Sequence, residues 1–472
     1  MSAEGRTGER IGFWAGLLLF AAMLLAPAPA GMGAAAWHVS ALVLLMAIWW
    51  MTQALPLTVT ALLPFVALPL MGVMEAKAVA EKYYSETMFL ILGGAFLALA
   101  IERAGLHRRV ALAILARAGS SKAGLLFAFM IATALLSMLI SNTSTALIMV
   151  PIALAVLAAG GVQPEETGGM AGALVMGIAF AASIGGLGTI VGSPTNAIAA
   201  GLIDEQLGMK ISFLSWMAFG LPAVLIAIPV CAAILMRVQN LAASDFRSDR
   251  ARAAIGDPGP WSQSEQRLLP VIILVVLLWV IQPWLGGFLP KGALTDGSIA
   301  ILGSFLLFVV PGGGGRPLLI WKEADRAPWA VIMMFGGGLA LAAGITASGL
   351  AGWLGEALRP LATVHPLIIG IAVVALVIWI TEFASNVATA TGVIPVIAGL
   401  SAATGADPWF LAMAASMAAS WGFMLPSGTG PNAIGWATGH IALPKMLRAG
   451  FLLDLAGIPI LVGVCWAMAQ AM

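Results

Sequence analysis

The feature that most constrains this chain is a polar pair set in hydrocarbon, and its repetition. Ser141-Asn142-Thr143 lies inside LLSMLISNTSTALIMVPIALAV, and Ser385-Asn386-Val387 inside IWITEFASNVATATGVIPVIAGL. Each pair has a hydroxyl four residues earlier (Ser137, Thr381) and a proline ten residues after the serine (Pro151, Pro395). The correspondences from 137 to 381, 141 to 385 and 151 to 395 each step by 244 residues. A Ser-Asn pair deep in apolar surroundings is costly unless it meets partners or lines a polar cavity. The same costly pair twice, half a chain apart, suggests one site built from two related halves.

The surroundings are those of a membrane protein. The 472 residues are 61% hydrophobic and 9% charged, with a mean hydropathy of +1.02. Soluble domains carry roughly 25% charged residues. The expected class is therefore an all-α polytopic membrane protein. A net charge of +1 gives no reason to expect nucleic-acid binding. Cys231 and Cys465 lie in apolar runs and read as buried small hydrophobes. His38, His107, His365 and His440 are scattered, and no metal-ligand or hydrolase motif accompanies them, so no enzyme chemistry is expected.

Taken in order, residues 11–30 form a first span within an N-terminal segment, 1–36, and read as a retained helix, not a cleaved leader. Residues 37–53 form a second span, with Trp49 and Trp50 suited to an interface. Residues 54–74 form a third, interrupted by prolines. Residues 122–160 are too long for one span and too short for two with a loop, since a membrane helix needs about 20 residues. They fit two half-helices forming a re-entrant hairpin with its tip at Ser141-Asn142-Thr143. Residues 169–208 read as a helix broken at SIGGLGTIVGSPTN, where Ser193 is a natural N-cap and Pro194 a natural first helical residue. These make a first repeat, 37–238. A basic stretch, 239–267, separates it from a second repeat, 268–472, with a hairpin at 363–404 and a broken helix at 408–442. Gly93-Gly94 and Gly336-Gly337 echo each other and read as close helix packing.

Arginine and lysine set the orientation. The amino terminus, 103–122, 237–267, 316–326 and 445–448 are basic and should all be cytoplasmic. Counting spans, the first hairpin enters from the cytoplasm and the second from outside, which defines an inverted-topology repeat.

These residues resemble the divalent anion:sodium symporter family, whose members carry dicarboxylates, citrate and sulfate. The resemblance covers nearly the whole chain. It rests on the paired Ser-Asn motifs, the paired Pro/Asn-rich breaks, the Trp-Trp…Pro-Leu-x-Val-Thr-Ala-Leu-Leu-Pro stretch at 49–64, and Thr381-Glu382. It implies a homodimer in a bacterial inner membrane, with a scaffold portion and a transport portion that slides as an elevator. It also implies two co-transported sodium ions. The first would use Ser137, Ser141, Asn142 and the Gly192 carbonyl; the second Thr381, Ala384, Asn386 and Gly428. The substrate would meet Asn142, Thr143, Ser193, Pro194, Ser385, Asn386 and Thr429. Two departures stand out: Val387 replaces the usual threonine, which bears on substrate identity, and Gln53 stands where glutamate is usual.

The residues support such a site on their own terms. Neither tip contains arginine or lysine, so donors to an anion must be asparagine amides, hydroxyls and freed helix N–H groups. With no fixed cation there, bound sodium is the natural counter-charge. Ser137 lies one turn beneath Ser141, and Thr381 beneath Ser385, placing two hydroxyls on one helix face. Against this, membrane serines and threonines often bond their own i−4 carbonyl or hold helices together. Glu382 reads as a structural carboxylate bonding nearby backbone or a partner helix. The functional expectation is sodium-coupled symport of C4-dicarboxylates or citrate. The rivals are sodium-independent exchange on the same fold, sulfate symport, and a non-transport membrane subunit.

Overall fold

In hydrocarbon every backbone N–H and C=O must bond within its own segment, so apolar chains of this kind become helices. A computed structural model describes residues 3–119, 121–285, 288–290 and 292–471. Residues 1–2 of the 1–36 segment, Ser120 in the basic 103–122 stretch, and residues 286–287, 291 and 472 of the 268–472 segment lie outside it. Among the described residues, 11 helices are long and apolar enough to cross a membrane. The strands form one two-stranded ribbon, Pro311–Gly313 against Arg316–Pro317.

Helices Ala3–Leu25 and Ala34–Thr52 pack together. Trp49 and Trp50 are not interfacial as expected. Both are buried, and their indole N–H groups donate to the carbonyls of Phe13 (3.2 Å) and Leu57 (3.2 Å). Residues 54–74 do not form one helix. They split into Leu57–Thr60 and Leu63–Leu70, because Pro56 and Pro64 each restart a helix while lacking an N–H to continue one.

From residue 86 onward the chain builds the same series twice. Helices Glu86–Ala104, Leu106–Leu115, Lys122–Ser137, Asn142–Ala159, Gly169–Gly186, Pro194–Leu207 and Phe213–Val238 have as counterparts Trp329–Ala347, Leu350–Leu358, Pro366–Phe383, Asn386–Thr404, Pro408–Ala418, Gly430–Ala437 and Leu443–Ala469. Helix starts at 106, 122 and 142 recur at 350, 366 and 386, each 244 residues later. The left-handed glycine ending the first helix of each series, Gly105 and Gly349, keeps the same spacing.

The two series interlock. Both arms of each hairpin pack along the helix preceding the break in their own half: Gly169–Gly186 in the first, Pro408–Ala418 in the second. The helix after each break packs on the second hairpin arm of the other half: Pro194–Leu207 on Asn386–Thr404, and Gly430–Ala437 on Asn142–Ala159. A large apolar cluster holds these elements, and a smaller one joins Ala34–Thr52 to Trp329–Ala347.

Two charged clamps fix the polar connections. Arg109 Nε lies 2.7 Å from Glu265, while its other nitrogens donate to the carbonyls of Gly259 and Pro260, and its guanidinium sits 4.4 Å from the Trp261 ring centre. In the 311–328 connection, Glu323 is held by Arg103 (2.9 Å) and Arg316 (2.7 Å), and Arg103 also donates to the Leu318 carbonyl (2.6 Å). Burial pushes the Glu323 carboxyl up. The Arg316 hydrogen bond, the Ile320 N–H and the two arginine charges outweigh it and hold it below the usual carboxylate range.

Candidate functional site: two hairpin tips and two helix breaks

Each hairpin turns at a serine because serine can cap the second arm. Ser141 Oγ accepts from Ser144 N (3.2 Å), and Ser385 Oγ accepts from Ala388 N (3.2 Å). The restarted helices are capped in the same way, by Ser193 (from Thr195 N, 3.3 Å) and Thr429 (from Asn432 N, 3.3 Å). Pro194 follows Ser193 at the first turn, as its fixed φ and missing N–H favour. Four helix N-termini are therefore hydroxyl-capped, Ser193 being the cap expected from the sequence, and their dipoles favour negative charge.

The first tip gathers oxygens. Ser137 is fully buried, and its Oγ lies 2.7 Å from both Asn142 Oδ1 and the Ala182 carbonyl. The Gly192 carbonyl closes the group, 3.2 Å from the inward-facing position of the Asn142 amide. Four oxygens thus share one hydroxyl proton, which can serve only one of them. Two arrangements relieve this excess. A cation can sit among the oxygens. Alternatively, the Asn142 amide can turn by half a rotation, so that its nitrogen comes within donating distance of Ser137 Oγ (2.7 Å), Gly192 O (3.2 Å) and Ala182 O (3.1 Å), its two hydrogens serving two of them while the Ser137 hydroxyl serves Ala182 O. The fit is tight: a Cβ on Gly186 would stand 2.3 Å from Asn142 Oδ1.

The second tip repeats the pattern. Thr381 is fully buried, with Oγ1 3.0 Å from Asn386 Oδ1 and 2.7 Å from the Ala419 carbonyl. Again three oxygens share one proton. Ala384 is buried at the end of the first arm, and Gly428 stands close to the Glu382 carbonyl.

Not every expected residue joins these groups. Ser141 and Ser385 spend their side-chain oxygens on caps, while Ser137 and Thr381 occupy the oxygen clusters. Thr143 reaches across to the other half, its Oγ1 lying 2.3 Å from where a Cβ on Gly430 would be. Val387 is half-buried and packs against both apolar clusters.

Other participants were missed. The Ala182 and Ala419 carbonyls complete the clusters, and a signal for them existed: Ala181-Ala182-Ser183 and Ala418-Ala419-Ser420 precede the two breaks. Asn196 Nδ2 ties the first break by donating to the carbonyls of Gly186 (2.7 Å) and Thr189 (2.8 Å). In the second break, Asn432 Nδ2 donates to Leu425 O (3.1 Å). Glu382 holds that break from below. Its carboxylate accepts from the N–H groups of Phe423, Met424 (3.0 Å) and Leu425 (3.2 Å), the backbone role expected of it. Asp454, buried on the last helix, has no donor among the described residues.

Known proteins resemble this chain over nearly its whole length. Residues 9–472 match the family model described as the sodium:sulfate symporter transmembrane region. The chain is 38% identical to the sodium-dependent dicarboxylate transporter SdcS of Staphylococcus saprophyticus, over 97% of this chain and 91% of that protein. It is also 38% identical to the transporter of the same name from Staphylococcus aureus strain MRSA252, over 98% of this chain and 91% of its counterpart.

Proposed function

The chain belongs to the sodium:sulfate symporter family, a family of transporters and not of enzymes, and from that premise we propose that it couples sodium entry to the uptake of C4-dicarboxylates or citrate. The observation that carries this reading is the pair of oxygen-rich, proton-poor clusters at Ser137/Asn142/Ala182/Gly192 and Thr381/Asn386/Ala419. Sodium prefers oxygen ligands and needs no particular geometry among hydroxyls, amides and carbonyls. One ion at each cluster supplies two positive charges beside the hydroxyl-capped helix N-termini. A dicarboxylate between the tips then meets N–H groups and hydroxyls from Asn142, Thr143, Ser193, Pro194, Ser385, Asn386 and Thr429, with Val387 shaping the wall. Ser141, Ala384 and Gly428 complete the cation sites through their backbone oxygens.

Asn142 links the two ligands. With sodium bound, its amide oxygen faces the ion and its nitrogen is free to donate to a carboxylate. Without sodium, the nitrogen turns inward and the oxygen is presented to the anion, which it repels. The relatives named as sodium-dependent dicarboxylate transporters support this substrate class.

The interlocked series, read with the basic loops, support inverted repeats with the amino terminus cytoplasmic, in a bacterial inner membrane. The segments 1–36, 37–238, 239–267 and 268–472 are the corresponding divisions. A homodimer moving its hairpins as an elevator is the mode of action this architecture suits.

A rival reading, exchange of one dicarboxylate for another without sodium, is favoured by one observation. The turned Asn142 amide satisfies the first cluster without any ion. Reconstituted vesicles separate the readings. Sodium-gradient-driven uptake of labelled succinate or citrate supports symport, uptake only against internal dicarboxylate supports exchange, and uptake of labelled sulfate alone identifies a sulfate carrier.

A further inference from the structure

We propose that Arg326 is the anion-capture residue of the route from the cytoplasmic face, where the 316–326 connection lies, to the first hairpin tip: it draws the anion in when transport runs in reverse and is the last charge it meets on release during uptake. This deepens the reading of the chain as a carrier of dianions, and rests on it. A cavity of about 200 Å³ reaches the tip. On its wall lie Ser141, Ser144, Ser193 and Pro194 of the tip and the first break, together with two charged residues, Glu102 and Arg326. Much of the remaining lining is apolar side chain and glycine.

Arg326 is exposed, and the reason it carries free charge is structural. Three arginines, Arg103, Arg316 and Arg326, cluster about the 311–328 connection. Glu323, the buried-edge carboxylate there, is already bound by Arg103 and Arg316. Among the described residues Arg326 forms no ion pair. The same clamp pins the connection to the end of helix Glu86–Ala104, and that connection carries Arg326 onto the cavity wall. The hairpin tips themselves contain no cationic side chain. A dianion approaching from this side therefore meets its fixed positive charge before it meets the tip.

Glu102, on the same wall, is not within ion-pair distance of Arg326. The two charges are thus separately available. One attracts the anion and the other attracts sodium, so a strong anion field does not exclude the co-transported cation. Arginine suits the first task because its planar fork meets a carboxylate with two parallel hydrogen bonds and stays charged at any working pH.

The effect is one of capture, so it is screened by salt and is confined to one membrane face. The test uses full-length protein in proteoliposomes sorted by orientation, with the 316–326 connection facing the labelled succinate. Arg326→Gln should raise the KM for succinate about threefold to tenfold at low ionic strength, leave the sodium half-saturation unchanged, and lose most of that effect at about 0.5 M impermeant salt, where the Debye length is only a few ångströms. Arg326→Lys should restore most of the affinity, and Lys322→Gln, which removes a charge from the same connection but not from the cavity wall, should shift KM far less. Vesicles of the opposite orientation should show no KM change in any variant. An unchanged KM in Arg326→Gln with normal wild-type transport overturns the capture role alone. An equal rise from both membrane faces, or one insensitive to salt, assigns Arg326 to structure instead and also overturns it. Absence of succinate transport in the wild type would overturn the dicarboxylate reading itself.

Discussion

The hydroxyl of Thr381 stands 3.0 Å from the amide oxygen of Asn386, five residues further on and across a hairpin tip. Half a chain earlier, Ser137 stands 2.7 Å from Asn142 in the same relationship. In both cases the hydroxyl also touches a carbonyl of the helix that ends at the break, Ala419 or Ala182. A hydroxyl bonded to its own i−4 carbonyl would have explained either residue alone. Here both reach instead to another helix and to the asparagine of the tip, which is the arrangement expected of paired ligands.

Gly186 tests the tightness of the first cluster. Gly186→Ala places a methyl group 2.3 Å from Asn142 Oδ1 and must displace the amide. Sodium half-saturation should rise about tenfold, since losing a hydrogen bond to a charged partner costs about 1.5–3 kcal/mol. Gly463→Ala, which meets nothing within 4 Å, is the matched control and should leave the sodium titration as in the wild type.

Glu382 is the keystone of the second break. Glu382→Gln leaves one acceptor oxygen where the carboxylate served three consecutive N–H groups. Leaving a buried donor unpaired costs about 1–3 kcal/mol. The melting temperature in detergent should fall by several degrees, and transport should fall with it. A variant that melts like the wild type would show that the 423–425 backbone finds other acceptors.

Val387 replaces a hydroxyl with a methyl at the second tip while packing against both apolar clusters. Val387→Thr keeps the shape and adds one hydrogen-bonding group, worth about 0.5–1.5 kcal/mol net. The ratio of succinate to citrate affinity should move by roughly threefold to tenfold. An unchanged ratio, measured by competition in vesicles, would mean that the side chain faces the apolar clusters alone.

Much of this was legible in the residues. The serines at 141, 193 and 385 and Thr429 each cap a helix start. Of these, Ser193 before Pro194 is readable as a cap from the sequence, whereas the hairpins are inferred from the length of their apolar runs. The 54–74 stretch was partly legible: its prolines mark an interruption, but the division into Leu57–Thr60 and Leu63–Leu70 appears in the backbone alone. Trp49 and Trp50 misled because an indole satisfies its N–H as well on a buried carbonyl as at a wet interface. The Ala182 and Ala419 carbonyls were hard to read, since backbone oxygens carry no residue signature; the repeated Ala-Ala-Ser string before each break is the one signal for them. Glu323's engagement by Arg103 and Arg316, which leaves Arg326 without an ion pair among the described residues, depends on tertiary folding that no spacing encodes.

The most direct measurement is a sodium titration of succinate uptake in vesicles containing the wild type, Ser137→Ala or Thr381→Val. Each substitution removes one hydroxyl from one oxygen cluster and leaves its helix cap intact. The expected result is a rise of about tenfold or more in the sodium concentration for half-maximal uptake in each variant, with protein yield unchanged. Titration curves that superimpose on the wild type in both variants would contradict the paired-site assignment and leave sodium-independent exchange as the better description.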